Sequence, residues 1–76
     1  MNDHEIRIRF GKAVKDARTE LGLSIAQLSR EVGFDQRSSI CQLERGINGV
    51  VMPKALRLVE YLGIDVAEIL GGPDDG

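Results

Sequence analysis

One run of twenty-four residues, Leu23 to Gly46 (LSIAQLSREVGFDQRSSICQLERG), constrains the fold more than any other part of the chain. It reads as two short helices joined by a tight turn. Ser24 is a strong N-cap, and Gln27 follows three residues later, the spacing of a capping box. Leu28 and Val32 are four apart and share one helix face. Gly33 supplies the left-handed residue that ends a helix. Asp35 can cap a second helix, in which Ile40 and Leu43 point inward together. Gly46 stands where that second helix should stop.

The flanking segments carry the same period. Ile6, Phe10, Val14, Ala17 and Leu21 recur every three to four residues and predict an amphipathic helix over about 5–21, ended by Gly22. The middle helices are predicted at about 25–32 and 36–45. Pro53 sits well in the first turn of a fourth helix, whose inward face is Met52, Ala55, Leu58, Val59 and Leu62, with Gly63 as its stop. Asp65 and Glu68 cap a last short helix, Val66 to Leu70, expected to be mostly core. No segment alternates as a strand does. The fold class expected is all-α, a compact five-helix bundle over residues 1–70. Residues 71–76 have nothing to bury and are expected to be a disordered tail.

Size and charge narrow the function. A chain of 76 residues buries only roughly 60% of its unfolded surface, and Cys41, its only cysteine, can form no disulfide within the chain. No stretch is apolar enough to span a membrane. The N-terminal MNDHEIRIRF is charged and lacks an apolar signal core, so a cytoplasmic location is expected. The formal net charge of −2 is unevenly spread. Residues 6–57 hold all ten basic residues and five acids, a local +5, while the rest carries −7. A basic body suits a phosphate-facing side; an ordinary solvated surface is the alternative. A helix-turn-helix can present its second helix to the major groove of DNA.

Phe10-Gly11, Arg18, Gly22-Leu23-Ser24, Leu28, Gly33, Ile40, Leu43-Glu44-Arg45-Gly46 and Leu62-Gly63-Ile64 together carry a resemblance that spans about residues 10–70. The chain resembles the Xre/Cro type of lambda-repressor-like DNA-binding domain. That resemblance implies a helix-turn-helix at helices 2 and 3, a third helix that reads DNA, and a symmetric dimer on a palindromic operator. It also implies an ion pair between Arg18 of helix 1 and Glu44 at the end of helix 3, for which a bidentate geometry is open. Three positions depart from the family pattern. Six residues rather than five separate Gly33 from Ile40; Ile25 stands where a phosphate-holding glutamine is usual; Ser29 replaces a usual alanine.

Counting back from Ile40 puts Arg37, Ser38, Cys41, Gln42 and Arg45 on the outer face of helix 3. Arginine pairs bidentately with guanine and glutamine with adenine. Arg37, Ser38 and Gln42 are therefore candidate base readers, with Gln36 added if the helix starts early. Arg45 and Ser39 are candidate phosphate contacts, as are Ser24 and the backbone N–H groups that open helix 2. Lys12, Lys15 and Lys54 are more remote candidates. Cys41, between Arg37 and Arg45 at helical spacing, is either a small surface residue or a redox-sensitive one. With one histidine (His4) and one cysteine there is no metal site of standard spacing, no cofactor is implied, and no catalytic set can be assembled, so the chain is not expected to be an enzyme.

The leading expectation is a sequence-specific transcriptional regulator, most simply a repressor, binding double-stranded DNA as a homodimer. The apolar loop residues Ile47, Val50 and Val51 are the candidate dimer or partner contact. The alternative is an antitoxin or adaptor whose main task is to bind a partner protein such as a toxin, a reading favoured by that loop and by the acidic tail.

Overall fold

The computed structural model describes residues 2–34, 37–46 and 52–71, among which there are five α-helices and no strand. The helices are α1 (Asp3–Glu20), α2 (Ile25–Val32), α3 (Arg37–Glu44), α4 (Met52–Leu62) and α5 (Val66–Ile69). Asp35, the expected cap of the third helix, and the expected tail from Gly72 onward lie outside the described residues, as does the side chain of Met52.

Local chemistry sets the helix ends. Asn2 caps α1: its Oδ1 accepts the Glu5 N–H at 2.8 Å. Asp3 and Glu5 then meet the positive end of the helix dipole, so α1 starts two residues before its expected start at Glu5. α1 ends at Glu20, and Leu21 becomes its C-cap. The expectation that Leu21 points inward is therefore incorrect: it is 55% exposed, because helical spacing no longer applies beyond the last helical residue.

α2 keeps both expected bounds. The Ser24 Oγ accepts the Gln27 N–H at 3.0 Å, and the Gln27 Oε1 accepts the Ser24 N–H at 2.8 Å, a complete capping box. α3 ends at Glu44, one residue before its expected end. The Arg45 N–H is shared between the carbonyls of Cys41 and Gln42, and the Gly46 N–H turns back to Leu43 at 3.0 Å, tightening the last turn.

The core is one cluster of Val14, Leu28, Val32, Ile40, Leu43 and Leu58, one or two residues from each of the first four helices. Each such side chain contributes about 1.5–3 kcal/mol on burial. Phe10, Leu23, Ile25, Phe34, Leu62 and Ile64 pack around it, partly buried. α1 lies against α3, α4 and α5, and α2 lies against α3 and α4. α5 is not mostly core, contrary to expectation. A single turn presents one side chain inward, here Ile69, and leaves Val66 44% and Leu70 54% exposed. No helix among the described residues is long and apolar enough to cross a membrane.

Candidate nucleic-acid interface

α3 has two opposite faces. Ile40 and Leu43 are buried, which orients the helix about its own axis. Ser38, Gln42 and Arg45 follow one another at four and three residues, so they share a strip. All three are exposed, and Ser39 is exposed beside them. Cys41 borders the strip and is half-buried. Gln36 lies outside the described residues, as does the side chain of Arg37. Ile47, Val50 and Val51 also lie outside them.

The inner end of α3 is held by Arg18. Its Nε donates to Glu44 Oε2 at 2.7 Å and its Nη2 donates to Glu44 Oε1 at 3.1 Å, a bidentate pair. The third arm, Nη1, donates to the Leu23 carbonyl at 2.9 Å. One guanidinium thus joins α1, the segment that opens α2, and the last residue of α3. The side chains are only 14% and 7% exposed, so solvent screens the pair weakly. The hydrogen bond to Glu44 outweighs burial and, with the carboxylate's charge, holds the Arg18 guanidinium above its ordinary pKa. Stability from a raised pKa is present at every pH below the group's ordinary value and is lost only above it. Arg18 therefore stays a cation throughout the working range.

Two glycines sit at the same junction. Gly11, in the middle of α1, is buried, and a methyl group there would overlap the Leu43 carbonyl oxygen and lie 3.0 Å from that of Glu44. Gly46 is buried with φ at +72°, and a methyl there would lie 2.8 Å from Ile8 Cγ1. Helical periodicity does not reveal the close approach at Gly11. The signals in the sequence are a glycine inside a helix it weakens and the Phe10-Gly11 pair of the resemblance.

At the start of α2 the capping box uses the N–H groups of Ser24 and Gln27. The N–H groups of Ile25 and Ala26 are left at the helix end, and the Ser24 hydroxyl, already an acceptor, keeps its proton to donate. Arg30 of α2 is exposed. Lys54 lies over the Phe34 ring at 5.0 Å from its centroid, close to where the chain leaves α2. Lys12 is engaged elsewhere, 3.0 Å from Asp16 on the same face of α1.

A groove of about 580 Å³ runs between α1 and the segment that carries α5. Asp16, Glu20, Asp65 and Glu68 line it, against Arg9 and Lys12. Its net negative charge disfavours an approaching phosphate. Among the described residues there is no group of three His, Cys, Asp or Glu side chains placed to hold a metal ion. No protein-family model matches this chain, and no curated protein matches it in sequence.

Proposed function

We propose that this chain is a sequence-specific DNA-binding regulator, most simply a repressor, that lays α3 in the major groove. The observation that carries the reading is the exposed strip Ser38, Gln42 and Arg45 on a helix whose opposite face and far end are both fixed. A reader of base edges needs polar side chains on a rigid support, because a loose support loses the geometry that discriminates bases. Gln42 would pair with adenine and Ser38 with either partner of a base pair; Arg37 would pair with guanine. Arg45, Ser39 and the opening turn of α2 would hold phosphates and set the register. The resemblance to the Xre/Cro type of lambda-repressor-like domain supports the same assignment. On it, α2 and α3 form the helix-turn-helix, and two copies bind a palindromic operator. One module of this size makes few base contacts, which favours a dimer.

The test is fluorescence-anisotropy titration of the DNA just upstream of this gene, against scrambled DNA, at several salt concentrations. Tight, selective binding that weakens steeply with salt is the expected result. Weak binding equal for both duplexes would overturn the reading and favour the antitoxin or adaptor alternative.

A further inference from the structure

We propose that Gly11 is a positioning residue for DNA reading: its missing side chain lets α1 seat directly on the last turn of α3 and so sets the angle at which α3 meets DNA. The inference rests on the reading of α3 proposed above. The atoms that a Cβ at Gly11 would strike are the carbonyl oxygens of Leu43 and Glu44, with the Glu44 carbonyl carbon at 3.1 Å. All three are backbone atoms, so no rotamer change relieves the overlap. Either α1 or α3 must move. The surroundings make α3 the part that tilts. Ile8, Gly11 and Arg18 lie on one strip of α1, and all three grip the same end of α3: Ile8 against Gly46, Gly11 against Leu43 and Glu44, Arg18 on Glu44. α1 is held by α4 and α5 as well, whereas the further helix packed on α3 is α2, so α3 has less to keep it in place than α1.

The pinch lies at one end of α3, so a displacement there pivots the helix on its packing against α2. An eight-residue helix is about 12 Å long, so a tilt of about 10° at Glu44 carries its other end roughly 2 Å. Hydrogen bonds to base edges tolerate far less than that, since their donor–acceptor distances lie within about 2.7–3.2 Å and they weaken steeply when bent. The proposed phosphate contacts tolerate more, because the opening turn of α2 is not pressed by the methyl and Arg45, a long side chain, stands beside the pivot. A methyl at Gly11 should therefore erase discrimination between sequences while leaving general DNA affinity in place.

The experiment uses the full chain and a duplex selected by it from a random pool, with a scrambled duplex alongside. Gly11→Ala is compared with Gly22→Ala. At Gly22 the φ of +72° strains any side chain, but nothing lies within 4 Å of the added methyl, so this variant is destabilised without pressing on α3. At a temperature where circular dichroism shows both variants folded, Gly22→Ala should keep the wild-type ratio of selected to scrambled affinity within about twofold. Gly11→Ala should lower that ratio at least about tenfold, with scrambled affinity within about twofold of wild type. A folded Gly11→Ala chain with the wild-type ratio overturns the proposal. So does a Gly11→Ala chain that stays unfolded even in a stabilising osmolyte, because Gly11 is then a requirement for folding and not for angle. A wild-type chain that enriches no duplex overturns the DNA reading itself, an outcome visible in the wild-type arm alone.

Discussion

Arg18 spends its three donating nitrogens on two fixed acceptor groups, the Glu44 carboxylate and the Leu23 carbonyl. Removing the carboxylate strands a mostly buried cation, which costs more than the pair itself contributes. Glu44→Ala should destabilise by about 3 kcal/mol, and at about 4–8 °C per kcal/mol in a domain this small the melting temperature should fall by more than about 10 °C. A melting temperature within about 2 °C of wild type would show that the pair is not structural. Arg18→Lys should recover only part of the loss, since an ammonium cannot reproduce the two parallel bonds. Ser29 makes the opposite prediction. It is 5% exposed, and its hydroxyl finds no hydrogen-bond partner among the described residues. Ser29→Ala should raise stability by about 1 kcal/mol through higher helix propensity and relief of a buried polar group. Chemical denaturation reads this as a higher midpoint at an unchanged slope; a lower midpoint would mean that the hydroxyl is satisfied. The ion pair was anticipated in the sequence only through a family resemblance. Spacing alone cannot bring together two residues 26 positions apart.

Helix ends are where the sequence is most explicit, because caps are local chemistry. The Ser24–Gln27 box and the glycines at 22, 33, 46 and 63, all with positive φ, mark boundaries that lie within two residues of those expected. Ser24→Ala should cost about 1 kcal/mol by opening the box, measurable as a lower melting temperature with the helical signal retained. What the pattern did not disclose is depth. Leu21 and Leu70 continue the apolar spacing of their helices yet are exposed, because each is a cap rather than a helical residue. Gly11 entered the sequence reading only as part of the Phe10-Gly11 pair, and only the crossing with α3 reveals why no larger residue fits. For α3 the inner face was legible from Ile40 and Leu43, and the outer strip followed by subtraction. Two substitutions on that strip separate reading from holding. Gln42→Ala should cost about 1–3 kcal/mol of discrimination against the wrong base while affinity for scrambled DNA is kept. Arg45→Ala should weaken all duplexes alike and lower the salt slope by about one, because it removes one phosphate contact. Equal losses in both variants would erase the distinction between base reader and phosphate holder.

At the scale of the molecule, charge is unevenly placed among the described residues. Four acids from α1, α5 and the segment before α5 outnumber Arg9 and Lys12 along the groove, whereas exposed Arg30 and Arg45 lie on α2 and just past the end of α3. A net charge of −2 is therefore compatible with the proposed DNA-facing side. The composition showed the asymmetry along the chain, but only the packing of α5 on α1 gathers Asp65 and Glu68 beside Asp16 and Glu20. The most direct test of the central claim is to follow backbone amide shifts by NMR as a selected duplex is added to the full chain. The signals of Ser38, Ser39, Gln42 and Arg45 should move first and furthest, with smaller shifts at Ile25 and Ala26 and none at Asp16, Glu20 or Glu68. Shifts confined to the groove residues, or spread evenly over the surface, would contradict that claim.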